Sequence, residues 1–244
     1  KIIDFKKNNL HVVGYSEPYK GKMNLSELNE HLFSLPKQPD LIPYVTSYYK
    51  RRWGFCLSEN QRKQLKLGVY EVKIDSTLEP GSLTYADLVI PGKSEKEILI
   101  STYICHPSMA NNELSGPVVT TFLAKHILNK KEKPYYTYRF VFIPETIGSI
   151  TYLSLHLEHL KKYVIAGYVV TCIGDNSSFS YLKTRAENTL VDRLTIHVLK
   201  HTEDEYNIYD FITRGSDERQ YNSPGIDLPI GSLMRSKYHE YPEY

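Results

Sequence analysis

Residues 102–116 read TYICHPSMANNELSG, and they set Cys105, His106, Asn112 and Glu113 directly behind the apolar run EILISTYI. A loop that only reverses the chain relies on Gly, Pro, Asn and Asp. This one adds a thiol, an imidazole and a carboxylate. Two later stretches repeat the arrangement: Ile143 is followed by Pro144, Glu145 and Thr146, and Ile173 by Gly174, Asp175 and Asn176. His106, Glu145 and Asp175 are side-chain types that ligate divalent cations or move protons. They follow three successive strand-like runs, and in open α/β sheets ligands bind outside the carboxyl ends of the strands.

Each of these residues also has an ordinary role to play. His106 can cap backbone, Glu113 and Glu145 can complement helix N-termini, and Asp175 can close a turn. His126, His156, His159, His197 and His201 fall inside helical patterns and read as packing or solvated groups. Cys105 as a nucleophile is disfavoured, because neighbours on an extended chain point to opposite faces. That separates it from His106.

The elements that must position these groups come from periodicity. Strand-like runs lie at residues 69–74, 97–104, 138–143, 164–173 and 228–233. Helical patterns lie between them. In LSGPVVTTFLAKHIL, Val118, Val119, Phe122, Leu123 and Ile127 share a stripe, with Pro117 where a first turn accepts it. GSITYLSLHLEHLKKY groups Ile150, Leu153, Leu157 and Leu160 and ends in lysines, and NTLVDRLTIHVLKH follows the same logic. The alternation predicts an α/β fold: a mixed, largely parallel central sheet with helices on both faces. Residues 1–66 differ in texture. They carry a strand-like run at 9–15 and a helix at 24–35 with Asn24 and Glu27 spaced as a capping box. The expected division is an accessory, β-rich α+β segment at 1–66 and the α/β core at 67–244.

Composition bounds the function. The chain has 244 residues, 41% hydrophobic, with 30 basic and 28 acidic residues and a net charge of +2. That balance argues against a surface that tracks phosphates, and Lys50–Arg52 and Lys130–Lys133 read as solvated loops, so no nucleic-acid partner is expected. No apolar stretch approaches the roughly 20 residues that span a bilayer, so no membrane partner is expected either. Three cysteines with no paired spacing and no signal-like start after Lys1 point to the cytoplasm. Tyrosine is abundant, 21 residues against one Trp, and reads mostly as half-buried packing. The sequence is silent on oligomeric state.

The run YADLVIPGKSEKEILISTYICHPSMANNELSGPVV, the later RFVFIPETIGSITYL and GSDERQYNSPGIDLPIGSL resemble the zinc aminopeptidases that include bacterial leucyl aminopeptidase and glutaminyl cyclase. The likeness is nearest to the aminopeptidase-like domains of bacterial polysaccharide-biosynthesis proteins. The resemblance implies a zinc exopeptidase-like fold over about two-thirds of the chain. Carried over residue by residue, it places the first metal-ligand His on His106, although alignment along the strand itself points to Tyr103. The bridging Asp falls on Asn112, with Glu113 beside it. The paired glutamates become Glu145, the family's general base, and Thr146. The strand-end Asp ligand falls near Thr171, with Asp175 the nearest carboxylate, and the final His ligand lies past Tyr244. These departures leave a mixed N/O set, His106 and Glu113 with either Glu145 or Asp175, suited to about one zinc. Glu145 is the general base if it is not a ligand.

RGSDERQY then reads as a specificity loop: Arg219 for a carboxylate or phosphate, Asp217 for an amine or hydroxyls, with Asn112 and Tyr221 completing the substrate site. The expected reaction is metal-dependent cleavage of an amide in a small peptide or aminoacylated amino-sugar. The alternative is an inactive module of the same fold that binds a peptide or glycan in the old cleft.

Overall fold

The computed structural model describes residues 2–241, and the chain divides into two compact units, one ending at Ser82 and one beginning at Leu83. In the first unit, β1 (Tyr19–Asn24) leads into α1 (Leu25–Leu28), followed by β2 (Leu32–Phe33), β3 (Phe55–Cys56), α2 (Glu59–Lys63) and β4 (Val69–Ile74). β1 and β4 form an antiparallel ribbon, and β2 pairs parallel with β3. The predicted capping box is present, with Asn24 and Glu27 exchanging backbone donors at 3.0 Å each. The helix it opens is one turn rather than the span 24–35, because the chain tightens into a 3₁₀ turn at Asn29–His31 and then extends into β2. Residues 9–15 likewise form a 3₁₀ turn and isolated bridges instead of a strand. β4, read from sequence with the later strands, belongs to this first unit. Its core is Leu28, Leu32, Phe55, Leu57, Val72 and Ile74, and Trp53 stacks between the rings of Tyr19 and His31.

The second unit holds β5 (Ala86–Ile90), β6 (Ser94–Tyr103), α3 (Ser115–Leu128), β7 (Tyr136–Ile143), α4 (Ile147–Tyr163) and β8 (Val164–Val170). Then come β9 (Phe179–Leu182), α5 (Leu190–Thr202), β10 (Tyr206–Tyr209), α6 (Glu218–Tyr221) and β11 (Ile230–Met234). They build one seven-stranded sheet in the order β10-β9-β11-β8-β6-β7-β5. The middle four strands are mutually parallel, while β5 and β9 join antiparallel at either side. This is the mixed α/β architecture expected. β6, β7 and β8 bury apolar residues on both faces, as strands covered by helices do. Leu99, Val141 and Val169 pack with Leu153 and Leu160 of α4 on one face; Ile100, Phe140 and Val170 pack with Ala124 and Ile127 of α3 on the other.

α3 departs from its predicted orientation. Its small residues Gly116, Thr120 and Ala124 meet the sheet, whereas Val118, Val119, Phe122 and Leu123 are exposed, Phe122 at 65%. A β-carbon on Gly116 would stand 2.4 Å from the Val170 carbonyl oxygen. The close approach of helix and sheet therefore selects small side chains, and the bulky stripe turns outward. Ile150 of α4 is also half exposed.

Candidate metal centre

Parallel β6, β7, β8 and β11 bring their carboxyl ends to one edge. β6 ends at Tyr103, and the chain then leaves the extended conformation. Its next backbone donor, the Cys105 N–H, is taken at 2.6 Å by Oε2 of Glu113. Glu113 reaches back because residues Ala110–Leu114 form a π turn before α3, wide enough that consecutive Asn112 and Glu113 both point inward at 2% exposure. Such wide turns recur at functional sites. Glu113 is thus no helix cap: it anchors the loop that carries Cys105 and His106.

The groups gather tightly. His106 Nε2 lies 3.8 Å from Glu113 Oε1 and 3.6 Å from Glu145 Oε2. Cys105 Sγ lies 3.6 Å from Glu113 Oε1 and accepts the Glu145 N–H at 3.3 Å. Among the described residues, one potential ligand atom each from Cys105, His106 and Glu145 falls within 4.8 Å of the others. The expectation that Cys105 and His106 point apart is corrected here, because the segment after Tyr103 is a turn and not a strand. Burial, and then the charges of Glu113 and Glu145, push the Cys105 thiol up. Burial works against the imidazolium of His106, but Glu145 and Glu113 outweigh it and hold His106 above its ordinary range.

The junction from β7 to α4 presents Glu145 under strain. Thr146 has φ +60° and ψ −66°, and the Ile147 N–H donates to the Glu145 carbonyl oxygen at 2.7 Å. This is a γ-turn of the rare kind, in a β-branched residue for which positive φ is costly. Strain of this sort persists where the surroundings hold it, and it clusters at functional sites. Here the holder is Asp217, whose Oδ1 accepts the Thr146 N–H at 2.7 Å and the Ser149 hydroxyl at 2.9 Å. The Ser216 hydroxyl donates to Glu145 Oε1 at 2.8 Å, leaving Oε2 on the His106 side.

Ser216 is fixed in turn by Glu218, which is fully buried. Its Oε1 accepts the Gly215 and Ser216 N–H groups and the Tyr238 hydroxyl at 2.8–3.0 Å, and its Oε2 accepts the Ser232 hydroxyl at 2.9 Å. Asp217 is also fully buried, with Oδ2 lacking a protein partner among the described residues. Burial pushes its carboxyl up to about 8 in spite of the Thr146 N–H.

The expected substrate contacts are reassigned by these positions. Asp217 and Tyr221 have no exposed surface; the first holds the Thr146 turn, and the second packs in the core with its hydroxyl 2.9 Å from that of Ser101. Asn112 is interior as well. Arg219 is exposed. Asp175 is engaged elsewhere, accepting from the Asn111 amide at 2.7 Å and the Ser177 and Ser236 N–H groups at 2.8 and 3.3 Å. Burial alone would raise its carboxyl, and these bonds together hold it below its ordinary range. It is absent from the group of Cys105, His106 and Glu145. Sequence reading passed over Ser216, a residue type too common to signal, and set Cys105 aside.

Cys105, His106 and Glu145 each place a ligand atom close enough to share one divalent ion. Ligand atoms bound to a tetrahedral zinc at about 2.0–2.3 Å stand about 3.3–3.8 Å apart, close to the Cys105–Glu113, His106–Glu113 and His106–Glu145 separations. Of the positions that the resemblance gives to ligands, Asn112, Thr171 and Tyr103, the strand alternative to His106, are buried and uncharged.

Comparison with known proteins agrees with the architecture. Residues 15–244 match a family described as a domain of unknown function, DUF4910. A curated Clostridium acetobutylicum protein, provisionally named for polysaccharide biosynthesis and for an aminopeptidase-like domain, is 51% identical over 98% of the chain. The chain spans about half of that relative, 54% of its length. A crystal structure from the same organism superposes with a TM-score of 0.93 at 51% identity, over 98% of this chain and 56% of that one. A Bacillus subtilis zinc aminopeptidase superposes with a TM-score of 0.59 at 12% identity, over 87% of this chain and 56% of that one. The second likeness shows the fold alone.

Proposed function

Starting from the DUF4910 family, to which this chain belongs, we propose that it is a zinc-dependent hydrolase on an aminopeptidase-like fold, cleaving an amide in a small peptide or aminoacylated amino-sugar. The observation that carries this reading is the convergence of Cys105, His106, Glu113 and Glu145 at the carboxyl edge of β6 and β7. Cys105, His106 and Glu113 would hold the ion, three protein ligands being the usual complement of a catalytic zinc with an open position. A zinc bound there supplies Lewis acidity toward a carbonyl and brings the pKa of a bound water toward about 7.

The chain's own residues supply the rest. Glu145 is the general base: Ser216 holds its Oε1, and Oε2, on the His106 side, would take the proton. The strained Thr146 turn fixes the direction in which that carboxylate points, and Asp217 fixes the turn. Arg219, exposed two residues after Asp217, supplies a cation for an anionic group on the substrate. The relative's provisional name favours a sugar-linked amide over a free peptide, and unpaired Cys56, Cys105 and Cys172 favour a reducing compartment.

The test is zinc content of the full chain purified without chelator or His tag, with turnover measured against aminoacyl-sugar and aminopeptidase substrates. About one zinc per chain, lost in His106→Ala, with turnover lost and zinc kept in Glu145→Gln, is the expected result. A second reading, a binding module without turnover, is favoured by the uncharged Tyr103, Asn112 and Thr171. Zinc-loaded protein that turns over none of the substrates, with no difference between wild type and Glu145→Gln, would favour it.

A further inference from the structure

Tyr103, Asn112 and Thr171 come from three separate elements and meet in one place. The Asn112 side-chain amide donates to the Tyr103 phenol oxygen at 3.1 Å, and the Thr171 hydroxyl lies 3.0 Å from the Asn112 backbone carbonyl oxygen and within bonding distance of the same phenol. The Asn112 amide also lies 3.5 Å from Cys172 Sγ. None of the four side chains exceeds 2% exposure. Asn112 adjoins Glu113 in the same π turn, so this set abuts the metal centre.

Its chemistry is opposite to that of the neighbouring cluster. A phenol, a carboxamide and an alcohol carry no charge, and transferring a divalent cation among them would cost its hydration with no anion in return. The Tyr103 phenol gathers the Asn112 amide and the Thr171 hydroxyl, while Asn112 Oδ1 has no partner among the described residues. Tyr103 is also among the largest fully buried side chains and belongs to the core cluster of Leu99, Ile143 and Tyr152. It fills volume and does not line an opening.

We propose that the Tyr103–Asn112–Thr171 set is a neutral plug that occupies the place of a second ion, so that the protein holds a one-ion centre. The proposal rests on the reading of Cys105, His106 and Glu113 as zinc ligands for its first ion, but not for the plug itself. Restoring charge should open the plugged place: Tyr103→His, Asn112→Asp and Thr171→Asp combined replace the plug by ligand types.

The experiment is zinc titration followed by native mass spectrometry on the full chain, using zinc alone as the probe. Wild type is expected to hold one ion and the triple variant two. A wild type that holds two ions overturns the plug. A wild type that holds none overturns the zinc reading, while a gain of one ion in the triple variant still supports the plug. A folded triple variant with the same count as wild type overturns it. If the triple variant does not fold, Tyr103→Phe decides: as plug, Tyr103 can lose its hydroxyl with zinc count unchanged and affinity within about twofold, whereas loss of an ion would make it a ligand and overturn the proposal.

Discussion

Asp217 shows how a single buried carboxylate shapes the site without reaching its chemistry. It holds the Thr146 N–H and the Ser149 hydroxyl on one oxygen and has no protein partner on the other. Its folded-state pKa of about 8 stands above the unfolded value of about 3.9. Between those limits the folded chain binds more protons than the unfolded chain, so stability falls as pH rises from about 4 to about 8. Asp217→Asn removes the titration while keeping an oxygen for Thr146. The variant is expected to lose that slope in a series of melting temperatures against pH; an unchanged slope would assign it to another group.

At the scale of elements, α3 and α4 teach different lessons. α3 lies on the sheet through Gly116, Thr120 and Ala124. Gly116→Ala is expected to cost about 3 kcal/mol by overpacking, because a carbonyl and the Thr102 hydroxyl leave its β-carbon no room. Phe122→Ser, on the exposed face, is expected to stay within about 0.5 kcal/mol. Chemical denaturation of both variants checks the orientation, and the reverse ranking would place the bulky stripe against the sheet.

α4 is tied to the sheet by charge. Arg139 of β7 bonds Glu97 of β6 at 2.7 Å and Asp87 of β5 at 2.9 Å, and His159 of α4 meets Glu97 at 2.7 Å. Burial raises the Glu97 carboxyl, but Arg139 and His159 outweigh it and leave it below its ordinary range. Its contribution is therefore present above about pH 4.3 and is lost as pH falls through the folded-state value. Glu97→Gln is expected to cost about 3 kcal/mol at pH 7, and the loss should shrink at pH 3 in equilibrium unfolding.

At the scale of the whole molecule, a metal that binds only the folded state must stabilise it. Zinc at 100-fold excess over its dissociation constant should add about 2.7 kcal/mol, read as a rise in melting temperature. The rise should vanish in His106→Ala and survive in Ser216→Ala, since Ser216 touches Glu145 and not the ligands. A rise of equal size in His106→Ala would place the zinc elsewhere. No helix among the described residues is long and apolar enough to cross a membrane.

Much of this was written in the sequence. Alternating apolar runs specified the parallel strands, and the polar residues behind them, His106, Glu113 and Glu145, marked the sheet edge that carries the site. Period and strand order suffice for that, because parallel strands send their carboxyl ends to one side. Three things were decided only by tertiary structure. The turn after Tyr103 brought Cys105 to the same side as His106, which no extended-chain rule foresees. Close helix–sheet approach turned the bulky face of α3 outward, since volume and not hydrophobicity alone chooses what fits under a helix. Burial separated Asp217 and Tyr221 from solvent and put Tyr103, Asn112 and Thr171 in one bonded set. Residues 68 and 59 positions apart along the chain become partners only when three elements converge, and no local pattern records that.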